Sequence, residues 1–208
     1  MNSVARQYEY RDAHSWSADY VADCIIRMAR VSPGPILDLG CGNGALVKRL
    51  LAEGFDAYGV DNSVTGIAQA SNLAPGRFWK MNIEHDDLPA ELRDIPFKTV
   101  ISTEVIEHLY DPRALITLAR NILRASGGGV LILSTPYHGY LKNVVIALLG
   151  KYDQHHTALW DGGHIKFFSR RTLETLITEK GFTVERFRGI GRAPLLWKSM
   201  AVLARLTA

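Results

Sequence analysis

Two aspartates and the glycines between them are the first residues of this chain whose types and spacing could do chemistry. Asp38 stands just ahead of Gly40-Cys41-Gly42-Asn43-Gly44, and Asp61 closes the run Tyr58-Gly59-Val60. Alternating glycines let the backbone take positive φ and approach a ligand with no Cβ in the way, while a helix beginning near Gly44 offers unpaired N–H groups. As letters, the run also meets the dinucleotide fingerprint, with Ala45 in its third small position. Charge separates the two possibilities. A carboxylate at Asp38 repels a pyrophosphate but attracts an ammonium, and an acidic side chain at Asp61, ending the next strand, can accept hydrogen bonds from both hydroxyls of a ribose.

The pair therefore predicts a nucleoside that carries a cation and no phosphate. S-adenosylmethionine, with its α-ammonium and sulfonium, has that chemistry. A second constellation follows at Glu104, Glu107 and His108, where spacings of three and four predict one shared helical face pointing into a ligand crevice. His108 is a candidate general base, since an imidazole with an ordinary pKa near 6.5 can take a proton from a phenol at neutral pH. The same histidine could instead bond Glu104 and fix the start of the helix; the sequence leaves both open. Further on, His138, His155, His156 and His164 stand among Tyr137, Tyr140, Tyr152 and Trp160, a wall suited to an aromatic ligand. These four lack the short spacing and accompanying thiolates of a zinc site, so substrate lining or base chemistry is expected rather than metal, with His164 the leading candidate.

The elements that must position these residues can be read from periodicity and turn signals. A helix over 18–30 carries Ala18, Val21, Ala22, Ile25, Ile26 and Ala29 on one face and ends at Ser32-Pro33-Gly34-Pro35. Strands are expected at 36–39, 57–61, 77–81, 98–103, 129–135 and 182–188. Helices are expected over 45–53, from Ser63 to about 72, from Asp111-Pro112 onward and over 170–180, the last capped by Ser169 and stopped by Gly181. Residues 199–205 fit a closing strand, and also a helix through Leu196, Met200, Leu203 and Ala204. Such alternation demands right-handed crossovers and a mostly parallel sheet, whose crevice lies beyond the carboxyl ends of the strands. The expected architecture is α/β: one Rossmann-like domain spanning 1–208, with a seven-stranded sheet flanked by helices on both faces. Residues 1–33 would form an N-terminal helical cap. Residues 137–168 form a variable segment whose apolar stretch 141–149 reads as a lid, a helix resting on a membrane, or a helix packed on its own domain.

Composition narrows the function classes. The 208 residues carry a formal net charge of +3 with the basic residues dispersed, so no footprint for nucleic acid is evident. The two cysteines, Cys24 and Cys41, make no disulfide framework, which suits a cytoplasmic protein. Neither a secretory leader nor a run of ~20 apolar residues is present, so membrane contact is expected to be peripheral at most.

On the glycine turn and Asp61 the chain resembles the class I S-adenosylmethionine-dependent methyltransferases. With Glu104 to His108, Thr135-Pro136 and the block Gly163-His164-Ile165-Lys166-Phe167-Phe168-Ser169, it resembles the small-molecule, ubiquinone O-methyltransferase-like group over roughly residues 34 to 190. The resemblance implies that Asp38, Gly40, Cys41, Gly42, Gly44 and Asp61 hold the cofactor. It further implies Asn62, Asn82 and Ile83 beside the adenine, and Thr103 and Glu104 at the methionine end. Asn82-Ile83-Glu84 departs from the commoner acidic-alanine pair of that group. Some of these relatives look as if the carboxylates and histidine of this stretch hold a divalent cation, which Glu104, Glu107 and His108 would permit; the favoured assignment here is no metal. The catalytic candidates are His108, His164 and Glu107, acting on a hydroxyl of a small aromatic, quinone-like or lipid-like acceptor. The alternatives are a non-catalytic module binding S-adenosylmethionine or lipid, a nicotinamide-dependent oxidoreductase, opposed by Asp38, and a nucleic-acid methyltransferase, of which Ser134-Thr135-Pro136-Tyr137 is only a partial echo.

Overall fold

A computed structural model describes residues 16–156, 158–191 and 193–206. Seven strands form one sheet: β1 Ile36–Leu39, β2 Ala57–Asp61, β3 Phe78–Lys80, β4 Thr99–Thr103, β5 Val130–Pro136, β6 Phe182–Ile190 and β7 Ser199–Leu206. Their spatial order is β3-β2-β1-β4-β5-β7-β6. The first five strands run parallel, and β7 lies antiparallel to both β5 and β6. The chain winds outward from β1 to β3, then returns to start again at β4. The order therefore reverses between β1 and β4, and a ligand crevice opens beyond their carboxyl ends.

Eight helices accompany the strands among the described residues: α1 Trp16–Ala29, α2 Ala45–Ala52, α3 Val64–Leu73, α4 Ala90–Arg93, α5 Pro112–Ala125, α6 Tyr140–Leu148, α7 Tyr152–His156 and α8 Arg170–Thr178. Side chains alternate across a strand, so each strand feeds two cores. Leu37, Leu131, Leu133 and Val202 enter the core beneath α5 and α8, which add Leu115, Ile116, Leu173 and Ile177. Ile36, Val130, Ile132 and Leu203 enter the opposite core, with Val21 and Ile25 of α1 and Leu46, Val47 and Leu50 of α2. Burial on both faces explains why the central strands read as continuous apolar runs. The caps expected at Ser63, Asp111 and Ser169 are all formed, each accepting from a backbone N–H of the first turn.

One open alternative is decided and one local expectation is corrected. Residues 199–205 pair with β5 along its whole length, from Pro136 opposite Ser199 to Val130 opposite Arg205, so the ladder decides for strand over helix. Glu104 to His108 do not form one helical face. Glu104 has φ 53, its N–H donates to the Ser134 carbonyl at 3.1 Å, and only Ile106–His108 make a single 3-10 turn. Leaving β4, the chain is tied to β5 before any helix can begin. The stretch 141–149 is helical as α6, but Leu148 is 81% exposed and Lys142 is the buried residue of that helix.

Gly40 and Gly44 hold the turn after β1 with φ of 85 and 79. A Cβ on Gly40 would collide with Val105, and one on Gly44 would lie 2.8 Å from Ala70 and Phe78. Gly44→Ala is expected to lower unfolding free energy by more than about 1 kcal/mol, because positive φ and crowding act together; urea denaturation of the variant at neutral pH measures it.

Candidate active site

The turn carries its ligand-facing groups on backbone fixed by β2. Gly40 and Cys41 donate to the Val60 carbonyl at 2.8 and 3.0 Å, and Gly44 donates to the Cys41 carbonyl at 2.9 Å. Cys41, expected at the cofactor, turns its buried side chain against Gly59, so its thiol serves packing rather than a polar ligand. The thiol is accordingly held well above its ordinary pKa, by burial first and then by Asp38 and Asp61. Asp61 accepts from Gly42 N–H at 2.8 Å and from Ser63 N–H at 2.7 Å. Its two oxygens thus clasp the glycine turn to the start of α3, and each keeps a second lone pair for a hydroxyl. Burial raises the Asp61 carboxyl, and these two N–H groups oppose the rise.

Asp38 is the unusual member. It is 2% exposed, and its Oδ1 has no hydrogen-bond partner among the described residues. Burial, followed by repulsion from Asp61, pushes its carboxyl up to about 8. A buried carboxylate oxygen without a partner carries a heavy desolvation cost unless a cation is supplied. An ammonium reaching past the glycine turn would supply one, so the residues present fit a cationic nucleoside.

The remaining cofactor candidates fall at the ends of β2, β3 and β4. Asn62 follows Asp61. Asn82 closes its own turn, its side-chain oxygen accepting from Glu84 N–H at 2.9 Å and its N–H donating to Asp86 at 2.7 Å. Ile83 packs on the core beneath α5. Thr103 ends β4 with its hydroxyl buried and unpartnered among the described residues. Glu104 departs from the expected methionine-end position. Its carboxylate accepts from Ser134 at 2.9 Å and Ser199 at 3.1 Å, on β5 and β7, away from β1. Ser199 in turn meets the Tyr20 hydroxyl at 2.8 Å. Burial pushes the Glu104 carboxyl up to about 7, while the serine hydroxyls and nearby Lys198 and Lys142 counter it. None of Tyr20, Lys142, Ser134, Lys198 or Ser199 was marked by the sequence, because nothing local to them points to Glu104.

Glu107 does come together with the predicted histidines. It is 1% exposed, one oxygen accepts from the Thr135 hydroxyl at 3.0 Å, and Oε1 lies 4.0 Å from both His108 Nε2 and His164 Nε2. The pairing of distant segments is a backbone effect: the N–H groups of Ile165 and Lys166 both donate to the Glu107 carbonyl, at 2.9 and 3.0 Å. His108 Nδ1 faces the carbonyls of Gly162 and Gly163 at 3.0 and 3.2 Å. Carbonyls only accept, so Nδ1 carries the proton and Nε2 presents its lone pair toward Glu107. Burial lowers both imidazoles, His164 to about 4, and leaves them neutral and proton-accepting at neutral pH. Burial and then Glu104 raise the Glu107 carboxyl well above its ordinary value. Among the described residues, Glu107, His108 and His164 are the one set of three whose ligating atoms lie within 4.8 Å of one another. Two imidazoles and a carboxylate can relay a proton or ligate a divalent cation. His164 takes the place that the sequence gave Glu104 in such a set. His138 lies buried at the end of β5 with His155 and His156 beside it, outside this triad.

Residues 11–186 match a family described as a methyltransferase domain. Ubiquinone biosynthesis O-methyltransferase of Psychrobacter arcticus is 28% identical over 167 residues, covering 77% of this chain and 63% of that protein. The protein of the same name from Azorhizobium caulinodans is 29% identical over 175 residues, covering 80% and 66%. This chain thus spans a little under two thirds of the length of these relatives. Among solved structures, magnesium protoporphyrin IX methyltransferase from Synechocystis PCC 6803 with bound SAH aligns at TM-score 0.65 and 20% identity, covering 94% of this chain and 84% of that one. A SAM-dependent methyltransferase of Thermotoga maritima, described as a possible histamine N-methyltransferase, aligns at TM-score 0.67 and 19% identity, covering 90% and 89%. The two structural likenesses are likenesses of fold.

Asp38 gives a sign-definite test. Its folded pKa of about 8 lies above the unfolded value of about 3.9, so the native state holds a proton that the unfolded state releases. The stability this contributes is complete below the unfolded value and is lost as pH rises through the folded one. Asp38→Asn, without cofactor, is therefore expected to be more stable than the parent at pH 8, on the order of a few kcal/mol, with the gap shrinking toward pH 5. Urea midpoints at both pH values measure it; a gap that does not change with pH contradicts the assignment.

Proposed function

The chain belongs to the methyltransferase-domain family, and we propose that it transfers the methyl group of S-adenosylmethionine to a hydroxyl of a small aromatic, quinone-like or lipid-like acceptor. Asp38 and the turn through Gly40, Gly42 and Gly44 take the methionine end, with Asp61 on the ribose, Asn62, Asn82 and Ile83 along the adenine, and Thr103 beside the sulfonium. The observation that carries the reading is the buried Oε1 of Glu107, set 4.0 Å from two imidazole nitrogens at the crevice. An amine or thiol acceptor needs no such base, whereas a hydroxyl gains from one.

The reaction is an in-line displacement. The acceptor oxygen attacks the methyl carbon, the carbon–sulfur bond breaks, and sulfur leaves as the neutral thioether. Alignment of the two reactants supplies ~7–11 kcal/mol of the barrier reduction. The acceptor proton passes to Nε2 of His164 or His108, each 4.0 Å from Glu107 Oε1. The name ubiquinone biosynthesis O-methyltransferase carried by the relatives supports oxygen as the acceptor atom. Mild, dispersed charge favours a small acceptor over a nucleic acid. Exposed Tyr140 and Leu148 on α6, with Leu149 just after it, favour an acceptor with an apolar body and, at most, peripheral contact with a lipid surface.

The same three ligating atoms favour a second reading. Held by Glu107, His108 and His164, a divalent cation would acidify the acceptor hydroxyl. In that case dialysis against a chelator abolishes turnover and added metal restores it; in the first reading turnover survives the chelator.

S-adenosylhomocysteine is expected to bind the parent in a calorimeter, and Asp38→Ala to weaken that binding at least tenfold. His164→Ala should keep the affinity within about twofold while lowering kcat on a panel of catechols and quinols by ~10²–10⁴-fold. No heat with S-adenosylhomocysteine, together with tight uptake of NADH, would overturn the cofactor assignment; an unchanged kcat in His164→Ala would remove the base.

A further inference from the structure

The four imidazoles of the variable segment do not all belong to the catalytic triad. His138, two residues beyond β5, donates its backbone N–H to the Phe168 carbonyl at 2.9 Å and is 7% exposed. Its ring is packed by His155 with centroids 5.6 Å apart, by His156 at 5.6 Å and by Phe167 at 4.9 Å. His156 also meets Phe167 at 5.1 Å and Tyr152 at 4.2 Å. The helix that supplies His155 and His156, α7, buries none of its five residues. It is held by this ring cluster and by its contact with α6. Further along, Trp160 packs on His108 and His164 at 5.8 and 5.5 Å, and the carbonyls of Gly162 and Gly163 face His108. The described residues between 152 and 167 therefore lie across the Glu107 site and are held at three points: the ring cluster on His138, Trp160 against His108 and His164, and the backbone bonds of Ile165 and Lys166 to the Glu107 carbonyl, of which only the last is free of imidazole rings.

We propose that this stretch is a cover over the acceptor crevice, latched by the neutral rings of His138 and His155 and released when they take up protons. An imidazolium is a poor occupant of a buried aromatic cluster, because burial disfavours charge and the neighbouring groups are themselves cations when protonated. The groups facing His138 are Lys142 of α6, His155 and His156 of α7, and His164 of the following loop. Those facing His155 are Lys142, His156, His138 and His164. Tyr152 and Phe167 complete the packing as uncharged rings. Lys142 is fixed in place by its bonds to the carbonyls of Tyr137 at 2.7 Å and Lys198 at 3.4 Å, so it cannot swing away to relieve the repulsion.

The sign follows from linkage. Burial first, with Lys142 next, lowers His138 to about 3 and His155 to about 4, against about 6.5 for an imidazole released to water. The closed latch is complete above pH 6.5 and weakens as pH falls from there toward 4. Each histidine contributes roughly a tenfold rise in the opening equilibrium between pH 7.5 and 5.5, and the two together roughly 100-fold. The latch is independent of which acceptor atom is methylated.

Hydrogen exchange followed by mass spectrometry on the full chain, corrected for intrinsic rates at each pH, reads this directly. Protection in α7 is expected to fall roughly 100-fold from pH 7.5 to 5.5, while β1 and β5 stay protected and report that the fold is intact. His155→Phe, at a partly exposed position, should reduce the fall to roughly tenfold, and His138→Phe with His155→Phe should abolish it. A pH-independent protection in the parent overturns the proposal, and so does a fall that persists undiminished in the double variant. S-adenosylhomocysteine binding by the same samples tests the functional reading separately.

Discussion

The whole arrangement depends on a carboxylate placed where water cannot reach it. Asp38 is the penultimate residue of β1, the strand at which the sheet order reverses, between two apolar cores, with one oxygen lacking any partner among the described residues. A sequence selected for stability alone would put Asn or an apolar residue there, since a buried unpaired acid costs several kcal/mol. Asp61 stands beside it at the end of β2, raising the cost further, although its own oxygens are satisfied by Gly42 and Ser63. The glycine turn is thus held shut by one acid and left electrostatically incomplete by the other. A cationic ligand completes it, and the rest of the fold keeps the two acids in register.

The sheet makes that possible cheaply in sequence terms. β1, β4 and β5 are buried on both faces, so their apolar runs announce themselves, and polar residues at their carboxyl ends announce the crevice. For this reason the glycine turn, both aspartates, the caps at Ser63 and Ser169 and the strand boundaries were legible from residues alone: each is fixed by its near neighbours. The acceptor side was legible only as a set of residue types. Its geometry comes from contacts between segments far apart in the chain, such as Ile165 and Lys166 donating to the Glu107 carbonyl.

Glu104 shows how a local rule fails. Spacing of three and four is evidence for a shared face only if the backbone is helical, and here one long-range hydrogen bond, from Glu104 N–H to the Ser134 carbonyl, forces positive φ and ends the argument. The side chain is then delivered to Ser134 and Ser199 instead of the methionine end. Tyr20, which reaches the same serine from α1, was invisible for the same reason. A positive-φ glutamate is an expense that a plain turn would avoid by using glycine. Its presence places that carboxylate near Glu107, whose proton affinity it raises.

The two halves of the site therefore rest on different physics. The half proposed to take the cofactor is backbone: positive-φ glycines, strand-end carbonyls and two acids whose carboxyls are raised by burial. The acceptor half is rings and one buried carboxylate, packed edge to face on a stretch with little burial of its own. A backbone cradle tolerates little change because the N–H groups of Gly40, Cys41 and Gly42 are already bound to β2 and that of Gly44 to the Cys41 carbonyl. A ring cluster tolerates substitution of one aromatic for another at small cost. Under the proposed reading, one cradle can serve many acceptors through changes in 137–168, and mutations there should redirect the chemistry long before they disturb the fold.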